Sequence, residues 1–307
     1  MRSWDAVGRD LVRSGVTWRV HSVFRAAFNL VSDRRELLGI VTAPASNGPA
    51  TLVLAASDVT WTPQPGDPAT LVGERLVLGD RLALDLSRAA LWDPPPIRRA
   101  LSFGEILDRL ELAVGVAAAR APSAGLAPLL TEARRLAGGA APFPWGLSTT
   151  PLDGAALVVQ HAREALSAIA EAIRRAHWSD VFAPARELSG LGPGLTPSGD
   201  DLLVGMALGL RAGLGTLPPE LASALSAAVE GRTTDLAEAR VRHAVAGRPD
   251  EAVHSLLVAL VDGPRDRLEP AVRSALAYGH SSGADTLVGL IVGLALSTAP
   301  GRRPPGG

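Results

Sequence analysis

Gly192-Pro193-Gly194-Leu195-Thr196-Pro197-Ser198-Gly199-Asp200-Asp201 runs without a break into Leu202-Leu203-Val204-Gly205-Met206-Ala207-Leu208-Gly209-Leu210. Three glycines and two prolines within residues 192–199 fix an irregular, compact loop. The apolar run that follows reads as a buried helix. The pattern returns at an offset of 84 residues, from Ser198 to Ser282. Both copies read Ser-Gly-x-Asp-x-Leu-Val-Gly-x-x-x-Gly-Leu, the second spanning Ser282 to Leu294. Eight defined positions shared across thirteen mark an internal repeat.

The spacing has a geometric consequence. Glycines four apart lie on one helix face and let two backbones approach closely. If the two helices cross near Gly205 and Gly289, each start lies about 10 Å back along its axis. A parallel arrangement puts both Ser-Gly-x-Asp turns beside one cleft; an antiparallel arrangement excludes it. Helix starts present free N–H groups and partial positive charge, which favour an anion. The candidate anion-binding residues are therefore Gly192, Gly194, Thr196, Ser198, Gly199 and Asp200 in the first copy. Ser281, Ser282 and Gly283 take that place in the second. Arg232, in Arg232-Thr233-Thr234 ahead of a helical segment, is a further candidate for a carboxylate or phosphate. Asp201, Asp285 and His280 are the candidate acid–base groups. The competing reading is structural: serines as N-caps, and aspartates that complement the helix dipole. Adjacent Asp200 and Asp201 point different ways on a helix, so at most one of them faces a ligand.

Better-known glycine motifs do not fit. A dinucleotide fingerprint needs a third glycine where Pro197 stands, and a phosphate-binding P-loop needs a lysine. The 307 residues contain no Lys and no Cys. That excludes a Schiff-base lysine, a thiol nucleophile, a thiolate metal site and a disulfide framework. Histidines show no metal-ligand spacing, and no cofactor is called for.

Outward from the repeat, residues about 16 to 90 are β-rich. Trp18, Val20, Phe24, Ala26, Phe28 and Leu30 alternate with polar neighbours as a half-buried strand does. Leu76 and Leu78 stand before Gly79-Asp80, and Leu82, Leu84 and Leu86 after it, a hairpin signal. Asn47-Gly48-Pro49 and Pro63 to Pro68 mark turns. Pro94-Pro95-Pro96 ends this region, since neither helix nor central strand runs through three prolines. Beyond it, Ser102 to Arg120 predicts a helix with Ser102 and Glu105 at capping-box spacing. Residues 123–137 predict another, Gly138 to Pro151 a break, and Leu157 to Ile173 a long amphipathic helix. From Asp200 the chain is mostly helical, with breaks at 213–219, 247–249 and 263–264. The expected fold is α+β: a β-rich, barrel-like or sandwich domain over 1–96, a mainly helical domain over 97–299, and a disordered tail over 300–307.

Composition is globular, 47% hydrophobic and 20% charged, with a net charge of −1. No basic stripe points to nucleic acid. The most apolar tract, Leu287 to Leu296, is too short to span a bilayer, and the first residues lack the apolar core of a signal peptide. The expected location is cytoplasmic.

Gly192 to Gly205 and Gly279-His280-Ser281-Ser282-Gly283-Ala284-Asp285, with Ser22-Val23-Phe24 and Asn47-Gly48-Pro49, resemble the family of the AllH-type subunit of oxamate carbamoyltransferase. The resemblance implies three different subunits acting together, one of them a succinyl-CoA-synthetase-like protein. It implies interconversion of oxalurate plus phosphate with oxamate plus carbamoyl phosphate, in allantoin-type purine catabolism. It assigns no catalytic residue. Carbamoyl phosphate, phosphate and oxamate are all anions, in keeping with the helix starts. Two roles remain open: a catalytic subunit, or a non-catalytic anion-binding or scaffold subunit of such a complex.

Overall fold

A computed structural model describes residues 2–43, 45–56, 63–80, 82–122, 124–137 and 153–298. The chain divides into two compact units, Met1–Pro95 with Arg248–Glu251, and Pro96–Gly247 with Ala252–Gly307.

The first unit begins with β1 (Ser3–Asp5) and α1 (Ala6–Arg13). Then come β2 (Trp18–Val23), β3 (Ala27–Ser32), β4 (Leu37–Thr42), β5 (Thr51–Leu54), β6 (Pro68–Val72), β7 (Arg75–Leu78), β8 (Leu82–Asp85) and β9 (Ala90–Trp92). They form one nine-stranded sheet in the order β8-β7-β6-β2-β3-β4-β5-β1-β9. Its two edge strands, β8 and β9, are separated in sequence only by residues 86–89, so the sheet curls until its edges reach one corner. Trp18, Val20, Phe28, Leu30, Leu38, Ile40, Leu52, Leu76 and Leu78 fill the inside of the curl, each at most 2% exposed. Each contributes roughly 1.5–3 kcal/mol by leaving water.

The run from Trp18 to Leu30 is not one strand. It is the hairpin β2–β3, turning at Phe24–Ala26, with Phe24 N–H donating to Ala27 O at 2.7 Å. A bulge between Val20 and Ser22 takes up His21. Apolar residues at even spacing on both sides of a turn reproduce the period of one long strand, and periodicity alone does not separate the two. The Gly79 hairpin is present, with Leu78 opposite Leu82 and Gly79 at φ 53°. Asn47-Gly48-Pro49 lies in the connection between β4 and β5, which are parallel. Within this unit Asn47 is the clip for the segment 248–251. Its backbone and side-chain N–H groups donate to Glu251 Oε2 at 2.9 and 2.8 Å, and its Oδ1 accepts from Ser3 Oγ at 2.6 Å.

The second unit is helical: α2 (Phe103–Ala118), α3 (Leu130–Ala137), α4 (Gly154–Arg174), α5 (Phe182–Leu188), α6 (Ser198–Leu214), α7 (Pro219–Val229), α8 (Asp235–Val245), α9 (Glu251–Val261), α10 (Leu268–Leu276) and α11 (Ser282–Thr298). The Ser102 capping box is formed, with Glu105 Oε2 accepting from Ser102 N–H at 2.9 Å. α4 buries Leu166, Ile169 and Ile173, while Leu157 stays 44% exposed. The break predicted over 138–151 and the tail from Pro300 lie outside the described residues. At the centre stand α6 and α11. Every residue from Ser198 to Leu210 is buried, as is every residue from Ser282 to Ser297. A helix apolar on all sides is a core helix, and these two are packed around by the others. Among the described residues no helix is long and apolar enough to cross a membrane.

Candidate functional site

The two repeat helices pack in parallel, glycine against backbone. A side chain on Gly205 would meet Thr286 O and Leu290 N, and one on Gly209 would meet Leu290 O and Leu294 N. Gly289 faces Leu202 O and Met206 N, and Gly293 faces Met206 O and Leu210 N. The contacts advance in the same direction along both helices, and each is repeated at the 84-residue offset (205 to 289). The pair is thus related by a local two-fold axis that runs along the helices. Both starts lie at the same end.

Asp201 stands one turn before Gly205, and Asp285 one turn before Gly289. Each therefore lies on the face that meets the other helix. Ser198 and Ser282, three residues earlier, share that face. α6 starts with Ser198 itself, and the cap position is Pro197, with no side-chain cap. Ser198 is thus not an N-cap. The hydroxyls cross over instead: Ser282 and Thr196 lie against the Asp201 carboxyl, and Ser198 and Ser281 against Asp285. Thr196 Oγ1 and Ser282 Oγ are 3.0 Å apart, which joins the first loop to the second helix.

Each aspartate has one strong donor. Arg240, on α8, donates from Nη1 to Asp201 Oδ1 and stacks over the Tyr278 ring at 5.1 Å. Leu126 N–H donates to Asp285 Oδ1 at 2.6 Å, and Gly125, at φ 64°, leaves no room for a side chain beside that carboxyl. Asp200 points elsewhere. Its Oδ2 accepts from Thr233 Oγ1 at 2.6 Å and Gly190 N at 3.0 Å. Asp201 and Asp285 are 0% exposed and Asp200 1%. Burial raises all three pKa values. Asp200 and Asp285 are pushed up to about 6, and Asp201 is raised against the opposing pull of Arg240. One oxygen of each, Asp200 Oδ1, Asp201 Oδ2 and Asp285 Oδ2, is buried without a hydrogen-bond partner.

The remaining candidates divide. Gly199 N–H donates to Leu191 O at 2.9 Å and Gly283 N–H to Tyr278 O at 3.0 Å, so both are spent inside the fold. A side chain at either would strike the carbonyl of Leu188 or Ala275, which makes them packing glycines. Gly192, at φ 105°, packs against Ser198. Gly194, at φ 103°, has open space around it in the exposed segment Pro193–Leu195. His280 is exposed in the second loop. Arg232 is exposed, and its carbonyl packs against Gly190. Thr234 caps α8 through Ala237 N at 3.1 Å.

Sequence reasoning passed over Arg240, Tyr278 and Leu126. Nothing in their local pattern marks them; only the packing of α8 and of the 124–126 segment against the helix starts does. Thr233 stood beside Arg232 in a stretch already singled out, but its partner is the protein's own Asp200.

Comparison with curated proteins and with solved structures found no match. Two family models do match: the AllH family N-terminal domain over residues 4–91, and oxamate carbamoyltransferase subunit AllH over residues 188–294. The second spans both copies of the repeat. The chain belongs to the AllH family of oxamate carbamoyltransferase subunits.

Proposed function

We propose that this chain serves, within a multi-subunit complex, the transfer of a carbamoyl group between carbamoyl phosphate and oxamate. The place of that reaction is purine nitrogen catabolism of the allantoin type, and the partners include a succinyl-CoA-synthetase-like subunit. In the forward sense the amide nitrogen of oxamate attacks the carbamoyl carbon. The carbon–oxygen bond to phosphate breaks, the nitrogen loses a proton, and oxalurate and phosphate leave. Such a reaction needs donors at the carbonyl oxygen and at the departing phosphate.

The observation that carries this reading is the contact between Thr196 and Ser282 at 3.0 Å, which brings both motif loops to one end of the α6–α11 pair. The loops expose Pro193, Gly194, Leu195 and His280 there. In this reading those loops meet the anionic ligand, and the exposed His280 imidazole is the side chain of the second loop that touches it. Asp201 and Asp285 are closed to solvent. That favours positioning by the aspartates over direct proton transfer. It also favours, as second reading, a non-catalytic anion-binding subunit whose partners perform the chemistry.

The test is thermal unfolding of the full chain with carbamoyl phosphate, phosphate, oxamate and an inert salt. A ligand at about 100 times its Kd adds roughly 2.7 kcal/mol. At about 2–4 °C per kcal/mol that is a rise of some 5 °C or more. A rise specific to carbamoyl phosphate supports the donor site on this chain. Reconstitution with the partner subunits then separates the two readings: loss of turnover in His280→Ala favours catalysis, and retained turnover favours the binding role.

A further inference from the structure

Asp201 and Asp285 stand close enough at the α6–α11 contact for the charge of Asp201 to act on Asp285, and beside the hydroxyls that flank them each keeps one oxygen satisfied and one not. Asp201 Oδ1 takes Arg240 and Asp285 Oδ1 takes Leu126 N–H. Asp201 Oδ2 and Asp285 Oδ2 are buried and unpartnered. A carboxylate oxygen only accepts, so whatever completes it is a hydrogen-bond donor or a cation. The hydroxyls of Ser198 and Ser282 stand at the same place, which makes the donor set entirely oxygen. Hard cations take such sets.

Charge decides the class of ion. Arg240 and two helix starts already offset much of the charge on two carboxylates. Among the described residues no three acidic or histidine side chains gather as a metal site, and Asp200 is turned toward Thr233. A divalent ion would therefore be under-coordinated by charge. Two neighbouring carboxylates closed to water still repel, and a single positive charge between them relieves that repulsion where a water molecule would not.

We propose that a monovalent cation of sodium or potassium size binds between Asp201 Oδ2 and Asp285 Oδ2, with the Ser198 and Ser282 hydroxyls completing its shell. It locks the two repeat helices together at their starts, under the motif loops.

The test uses the full chain at constant ionic strength and pH 7.5. Melting is followed with sodium, potassium or choline chloride. The expected result is a melting temperature several degrees higher in sodium or potassium than in choline, saturating with concentration. Asp285→Asn should remove that difference, and Ser198→Ala, a milder change that keeps both charges, should weaken it. Crystals soaked in thallium(I) should give an anomalous peak between the two carboxyls. Equal melting in all three salts overturns the proposal and leaves a proton or water as the filler. A larger rise with magnesium or calcium than with sodium or potassium overturns the monovalent class.

Discussion

Ser282, the first residue of α11, reaches the loop that leads into α6 and lies 3.0 Å from Thr196 Oγ1. The two copies of the repeat therefore complete each other: the serine of one serves the aspartate of the other. That arrangement rests on four glycines, and it is where the chain is least tolerant of change.

Gly205→Ala and Gly289→Ala should each destabilise strongly. The added methyl group would strike Thr286 O in the first case and Leu202 O in the second, and backbone cannot move aside cheaply. Overpacking usually costs about 1–3 kcal/mol, and these positions should lie at or above that range. Gly115→Ala is the control. It lies inside α2 with open space around it, and there the alanine should add about 0.5–1 kcal/mol. Urea midpoints of the three variants measure both effects.

Removing Arg240 should be costlier than a surface ion pair suggests. The pair is only 12% and 1% exposed, and Arg240→Met strands Asp201 in the core. Breaking a buried pair costs about 3–5 kcal/mol. The double variant Arg240→Met with Asp201→Leu should recover much of the loss. A double variant no better than the single one would show that the charge was not the cause.

Stability should increase on mild acidification. Asp200 and Asp285 hold their protons up to about pH 6, against an ordinary 3.8. The folded chain thus binds protons that the unfolded chain releases. That contribution is complete below the ordinary carboxylate range and is lost as pH rises through about 6. Each group spans about two pH units, on the order of 3 kcal/mol. The urea midpoint at pH 5 should exceed that at pH 7.5, and Asp285→Asn should flatten the dependence. Asp85 and Glu105, lowered by Ser87 and Ser102, act in the opposite sense at more acidic pH.

Asn47→Ala should loosen the segment 248–251. It leaves the buried Ser3 Oγ without its acceptor and takes from Glu251 Oε2 one of its two donors, the backbone N–H of residue 47 remaining. An unsatisfied buried group costs about 1–3 kcal/mol. Faster hydrogen exchange at Glu251 N–H, which donates to Asn47 O at 2.9 Å, is the direct readout. Unchanged protection there would argue that other contacts hold the segment.

The sequence by itself determined the elements and the central pairing. Period-two alternation marked a β-rich start and an uninterrupted apolar character marked the two core helices. The doubled Gly-x-x-x-Gly spacing predicted their close approach, because these signals are local and depend on neighbours a few residues away. It misread the Trp18–Leu30 hairpin for the same reason: a turn that preserves the alternation leaves no local trace. The tertiary structure alone decided what the motif residues do. Ser198 was expected as a cap or an anion ligand, yet its hydroxyl turns to Asp285, 87 residues on (285 less 198). Gly199 was expected to offer its N–H, yet that group is bonded to Leu191 O. Arg240 and Leu126 N–H entered unannounced. Hydrogen-bond partners and burial are set by which elements pack together, and a buried aspartate must find a donor wherever the fold supplies one.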